Sequence, residues 1–219
     1  MTKSTPVEIL VATSNEGKVR EIKHALEDLS LQFSQLRDFP SLHLVDEVGG
    51  SYEENATLKA MYYASQTGLR SIADDSGLEV DALGGLPGLR SARFGGVGLS
   101  DSMRNQLLLA SLAETKTSNR TARFVSFIAL AEPESGSDQP ARILKIAKGS
   151  CAGTITFNPR GENGFGYDSI FVPQGYQETF GELSEDVKSR ISHRAQALLQ
   201  LRLYLMTGLS KLDPQCNDS

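Results

Sequence analysis

Three pairs of acids stand close together between residues 46 and 75: Asp46-Glu47, Glu53-Glu54 and Asp74-Asp75. The third pair ends a short apolar run, Leu69–Ala73, that reads as a buried strand. Adjacent carboxylates in that position repel one another and need a compensating partner. A hard cation such as magnesium meets the need and completes its own shell with water or phosphate oxygens. The same letters, Asp74-Asp75-Ser76-Gly77, also fit a turn with Gly77 at positive φ, so two readings stand. Glu53 and Glu54 read as first-turn acids that complement a helix dipole.

Four further sets have chemical potential. Thr13-Ser14-Asn15-Glu16-Gly17-Lys18 lies where a strand hands over to a helix, so free backbone N–H groups, the helix dipole and Lys18 would face an anion. It lacks the longer glycine spacing of a P-loop, and Asn15 as a helix cap with a solvated Lys18 accounts for it equally well. Gly84-Gly85-Leu86-Pro87-Gly88 with Arg90, Arg93 and Gly95-Gly96 fits a ligand-wrapping loop or a plain surface loop. In Gly164-Phe165-Gly166-Tyr167-Asp168, glycines flank a ring that a flat ligand can stack on, and Asp168 can accept from ring N–H groups. Burial of Phe165 and Tyr167 at a strand start is the competing account. Finally, Lys188, His193 and Arg194 cluster around Ser192, a good helix N-cap. Cations oppose the dipole there by roughly 0.3–1 kcal/mol, so an anionic or electron-rich partner is expected.

The elements that must position these sets follow from periodicity. Val7–Thr13 reads as a strand, followed by Val19, Ile22, Ala25, Leu26 and Leu29 at helical spacing. Ser51 with Glu54 forms a capping box for a helix through Ala56–Ala64 that stops at Gly68. Leu78–Leu83 alternates like a second strand after the acidic turn, and Ser100 caps a helix over Asp101–Ala113. Arg123–Ala131 and Ile143–Ala147 read as strands joined by a polar insert, Glu132–Pro140, and Ala152–Phe157 as one more. The loop Asn158–Gly166 leads into Tyr167–Val172. The last helix runs from Ser192 through Leu205, with Gly208 just past its end. βα units mixed with antiparallel-looking strands predict an α/β protein with a mixed sheet.

The 219 residues suit one domain, 7–208, between a flexible N-terminus, 1–6, and a polar tail, 209–219. A hydrophobic fraction of 39%, a charged fraction of 22% and 20 glycines predict a folded soluble chain. A net charge of -5 argues against duplex nucleic acid as a partner. The two cysteines, Cys151 and Cys216, are too few for a disulfide scaffold and suit a reducing compartment. The polar Met1–Pro6 lacks a signal core and no apolar run spans a bilayer, so action in the cytosol without a membrane partner is expected.

In this order the sets resemble the inosine triphosphate pyrophosphatase family, which removes ITP, dITP and XTP before they enter DNA and RNA. The resemblance runs from about Val7 to about Leu205. It is carried by Thr13–Lys18, Ala73-Asp74-Asp75-Ser76-Gly77-Leu78, Gly164–Asp168 and Ile191-Ser192-His193-Arg194. It implies an elongated, two-lobed α/β fold around a long mixed sheet with flanking helices, a substrate cleft between the lobes, and a homodimer. It also implies hydrolysis of a nucleoside triphosphate to monophosphate and pyrophosphate. By position, Asp75 would be the catalytic carboxylate, and Glu47 and Asp75, with Asp74 assisting, would organise magnesium. Thr13, Ser14, Asn15, Glu16, Gly17 and Lys18 would hold the triphosphate, with Ser76 beside it. Phe165, Gly166, Tyr167 and Asp168 would form the base pocket, and Lys188, His193 and Arg194 would complete the site. Ser169 and Gly181 depart from the family's usual proline and alanine.

On that reading Asp75 orients or deprotonates a water that attacks the α-phosphorus, and Lys18 with backbone N–H groups stabilises the departing pyrophosphate. Arg194 aimed at a 6-oxo group would accept hypoxanthine or xanthine and reject adenine, whose 6-amino group is a donor. The alternatives are a pyrophosphatase of modified pyrimidine or standard triphosphates, and a regulator that binds nucleotide without turnover.

Overall fold

The computed structural model describes residues 7–133 and 141–209. The N-terminal segment 1–6, most of the Glu132–Pro140 insert and the tail from residue 210 lie outside the described residues. The described residues divide into two compact units, one of residues 7–75, 127–133, 141–147 and 197–209, the other of residues 76–126 and 148–196.

The first unit begins with β1 (Val7–Val11), α1 (Glu16–Ala25), β2 (Leu31–Gln35) and α2 (Tyr52–Thr67). Past Glu8, β1 reads as an apolar run because both of its faces are covered there. Ile9 and Val11 pack with Val19 and Ile22 of α1 and with Leu26 that caps it, and Leu10 and Ala12 pack with Ala56, Ala60 and Ala64 of α2. β1 pairs in parallel with β2 on one edge and with β3 (Arg70–Val80) on the other. The two crossover helices therefore lie on opposite faces, and the strand order reverses between β1 and β3, so a switch point falls at the carboxyl end of β1 beside the middle of β3, the usual kind of place for a ligand in such sheets. β1 pairs with β3 only as far as Val11 opposite Ile72, so Asp74 and Asp75 lie just beyond that pairing.

The expected acidic turn is absent. β3 is one continuous strand through Asp74-Asp75-Ser76-Gly77 rather than two strands around a turn. The extended backbone sends successive side chains to opposite faces, so the two carboxylates diverge. β5 (Arg142–Ile155) likewise merges two expected strands. β2 and the short α4 (Glu185–Ile191) carry too few periodic residues to stand out in the sequence.

The second unit holds α3 (Asp101–Glu114), capped as expected by Ser100, with β6 (Phe171–Pro173) and α4. Its core gathers Leu78, Val80, Leu108, Phe124, Ile170, Phe171 and Phe180. β4 (Thr121–Glu132), β5 and α5 (His193–Leu209) each contribute residues to both units, and α5 continues through Gly208 rather than stopping before it. The sheet order is β2-β1-β3-β4-β5-β6, with β5 and β6 antiparallel, which makes it a mixed sheet. No helix among the described residues is long and apolar enough to cross a membrane.

Candidate active site

In the first unit the phosphate-type loop is a capped helix start. Asn15 Oδ1 accepts from the Lys18 N–H at 3.0 Å, and Thr13 Oγ1 accepts from the Asn15 N–H at 3.2 Å. The capping account of Asn15 is thus correct, and it is compatible with anion binding, because one cap leaves other first-turn N–H groups to serve a ligand. Gly17 is buried. Ser14 and Glu16 line a cavity of about 290 Å³ beside the loop, and Glu16 pairs with Arg37 at 3.2 Å.

Asp74 and Asp75 have different partners. Lys18 Nζ meets Asp74 Oδ1 at 2.6 Å, with the Asp74 side chain fully buried. Asp75 Oδ1 accepts from Lys59 Nζ at 3.1 Å and Asp75 Oδ2 from Asn55 Nδ2 at 3.1 Å. Lys59 Nζ also donates to Glu47 Oε1 at 2.9 Å and to the Asp74 carbonyl at 2.8 Å. Lysines thus supply charge compensation that the sequence assigned to a cation alone. Three carboxylates still face two ammoniums, so the cluster remains anionic.

This balance tunes the groups. Burial is the largest influence on Asp75 and pushes it up to about 6, aided by Glu47 and opposed by Lys59 and Lys18. Burial works to lower the Lys59 pKa, but the Asp75 and Glu47 carboxylates outweigh it and hold the ammonium above its ordinary value. Asp75 is therefore mostly ionised at neutral pH and a stronger base than an ordinary carboxylate.

Lys59 and Asn55 were missed by the sequence reading, although a signal existed. Tyr52, Asn55, Ala56, Lys59, Ala60 and Tyr63 form one buried helix face at helical spacing. Two polar residues on such a face need buried partners.

In the second unit Phe165, Asp168, Lys188 and Arg194 come together. Asp168 Oδ2 accepts from the Phe165 N–H at 2.8 Å and from Lys188 Nζ at 2.6 Å. Lys188 Nζ lies 4.6 Å from the Phe165 ring centroid, and Arg194 Cζ lies 5.7 Å from it. Arg194, only 2% exposed, donates to Ser76 Oγ at 2.8 Å. Gly164 has φ +77°, and a Cβ there would collide with the Asp168 carboxylate, so the loop needs glycine at that position.

Not every expected residue faces this cluster. Tyr167 turns into the core, where its hydroxyl donates to the Ser91 carbonyl at 2.8 Å and burial raises its pKa. His193 stacks on Phe124 with centroids 4.6 Å apart. Gly166 is fixed by its backbone, its N–H donating to Asp101 Oδ2 at 2.6 Å and its carbonyl accepting from Asn105 Nδ2 at 3.1 Å. The two departures also have local reasons: Ser169 Oγ accepts from Asn105 at 3.0 Å, and a Cβ on Gly181 would sit 2.6 Å from the Arg160 carbonyl oxygen.

Comparison with known proteins agrees with this architecture. A dITP/XTP pyrophosphatase of Exiguobacterium sp. is 46% identical over 196 residues, covering 89% of this chain and 95% of the relative. A dITP/XTP pyrophosphatase of Deinococcus radiodurans is 47% identical over 193 residues, covering 88% and 90%. Among solved structures, a HAM1 protein from Coxiella burnetii has a TM-score of 0.80 at 40% identity, covering 92% of this chain and 99% of that one. A nucleoside-triphosphatase, also titled dITP/XTP pyrophosphatase, from Mycobacterium abscessus has a TM-score of 0.68 at 41% identity, covering 89% and 97%. The Ham1 family model matches residues 9–204, a span that takes in both residue clusters, and this chain belongs to that family.

Proposed function

We propose that the protein hydrolyses non-standard purine nucleoside triphosphates, ITP, dITP and XTP, to the nucleoside monophosphate and pyrophosphate. The observation that carries this reading is Asp75, a buried carboxylate pushed up to about 6 and braced by Lys59 and Asn55. The names of the relatives supply the substrate class.

The triphosphate is assigned to the start of α1, where Thr13–Lys18 offer backbone N–H groups and Lys18 a charge, with Asp74 orienting that lysine. Asp75 holds the attacking water and takes its proton as the oxygen closes on the α-phosphorus. Lys18 and the loop N–H groups stabilise the charge gathering on the departing pyrophosphate. Among the described residues no cluster of three or more acids, histidines or cysteines is arranged to hold a metal. Glu47 and Asp75 nevertheless fit magnesium chemically: both are hard oxygen donors gathered on one ammonium, and magnesium is usually held by one or two carboxylates plus substrate phosphates. Magnesium when bound would supply Lewis-acid polarisation of the phosphates.

The base is assigned to Phe165. The cations Lys188 and Arg194 near that ring offer only donors, which suits a 6-oxo purine and opposes the 6-amino group of adenine. Such a substrate belongs to the soluble nucleotide pool, so the proposed place of action is the cytosol. A homodimer is also proposed, on the ground of the resemblance to the family alone.

The test is incubation with ITP, dITP, XTP, GTP and dTTP in magnesium, assaying pyrophosphate and orthophosphate separately. Pyrophosphate from ITP, dITP and XTP at rates well above those for GTP and dTTP is expected. Absence of turnover with every triphosphate would refute the enzyme reading, and preference for dTTP would move it to pyrimidines.

A further inference from the structure

We propose that Asn55 is a positioning residue: its amide holds the Asp75 carboxylate and the segment bearing Glu47 in one fixed relation. The inference rests on the pyrophosphatase reading, in which those two carboxylates act together. Asn55 is 3% exposed and sits on the buried face of α2. Its orientation is set by its partners rather than by choice. A backbone N–H can only donate, so the atom facing the Gly49 N–H at 2.8 Å is Oδ1. Nδ2 must then be the donor to Asp75 Oδ2, at 3.1 Å.

Gly49 lies two residues beyond Glu47, in a stretch without helix or strand of its own. The approach is close, since a Cβ on Gly49 would sit 2.7 Å from Asn55 Oδ1 and 2.9 Å from Glu54 Cβ. Two links therefore join Glu47 to Asp75. One is ionic, through Lys59 Nζ; the other is neutral, through the Asn55 amide and the Gly49 backbone. The two respond differently to a cation. A divalent ion drawn to Glu47 and Asp75 repels the Lys59 ammonium and competes for its partners, but leaves an uncharged amide in place. Asn55 thus preserves the spacing of the carboxylates when Lys59 is displaced.

Three variants of the full chain test this. Asn55→Ala removes both hydrogen bonds. Asn55→Asp keeps the acceptor for Gly49 but turns an acceptor toward Asp75. Glu54→Ala removes the partner of the neighbouring Gly50 N–H, now 2.7 Å from Glu54 Oε2, without touching Asp75. Manganese binding to nucleotide-free protein, followed by electron paramagnetic resonance, is measured beside kcat and KM for ITP. Asn55→Ala is expected to weaken manganese binding and lower kcat by about 10-fold or more, with KM changed by less than about threefold. Asn55→Asp is expected to lower kcat similarly and Glu54→Ala to leave both quantities within about twofold. Equal effects of Asn55→Ala and Glu54→Ala, or wild-type kcat in Asn55→Asp, would overturn the proposal. Should Asn55→Ala not fold, Asn55→Asp, of the same shape, decides. If the unaltered protein turns over no triphosphate, the pyrophosphatase reading fails, while the manganese comparison still decides the role of Asn55.

Discussion

Lys59 reaches Asp75 from the middle of a helix face that is otherwise apolar or amide, closing on Asp75 Oδ1 at 3.1 Å. A lysine so placed has little access to water, and its ammonium is retained because three oxygens, from Glu47, Asp74 and Asp75, surround it. Lys59→Met leaves those carboxylates without their main counter-charge. Removing one partner of a buried pair costs about 3–5 kcal/mol. Denaturant titration should register that loss, and kcat for ITP should fall by about 10- to 100-fold. Unchanged stability would show that Lys59 is not paired in solution.

The raised pKa of Asp75 has a definite sign for stability. Its value in the fold, about 6, lies above the ordinary aspartate value of 3.8, so the fold binds this proton more tightly than the unfolded chain does. The contribution of Asp75 is fully present below about 3.8 and is lost as pH rises through about 6. Above that pH the carboxylate is charged in a buried place, and a bound cation should relieve the cost. The rise in Tm on adding magnesium is therefore expected to be larger at pH 7.5 than at pH 5, by calorimetry in matched ionic strength. A rise independent of pH would remove Asp75 from the metal-binding set.

Phe165 is predicted to carry base affinity rather than chemistry. Loss of base–aromatic stacking costs about 1–3 kcal/mol, or roughly 5- to 150-fold. Phe165→Ala should raise KM for ITP within that range and leave kcat little changed. A fall in kcat with constant KM would place the ring at the reacting end instead.

Arg194 is predicted to govern the choice of base. Arg194→Met removes a donor that adenine cannot use, so it should depress kcat/KM for ITP far more than the residual rate with ATP. Steady-state comparison of the two substrates decides the matter, and equal losses would assign Arg194 a purely structural role in the hydrogen bond to Ser76.

Much of this was legible in the sequence, and the remainder was hidden for physical reasons. Caps at Asn15, Ser51 and Ser100 were readable because each is a local bargain between a side chain and N–H groups a few residues away. The extended course of Asp74-Asp75-Ser76-Gly77 was not, because its letters favour a turn, whereas the strand is held by its neighbours in the sheet and its carboxylates by distant lysines, at positions 18 and 59. The place of Asn55 on the buried, helically spaced face of α2 was readable, but the partners of its amide were not, since they lie on other segments of the chain. Tyr167 and Asp168 are neighbours that point to different surroundings, one into the core and one toward Lys188, and that divergence depends on a 3₁₀ turn the sequence did not announce.

The central claim is attack by water at the α-phosphorus with Asp75 assisting, and hydrolysis of ITP in ¹⁸O-enriched water tests it most directly. Mass spectrometry of the products should find one ¹⁸O atom per turnover in the inosine monophosphate and none in the pyrophosphate, with the rate collapsing in Asp75→Asn. Label in the pyrophosphate, in released orthophosphate, or an undiminished rate in that variant would contradict the account.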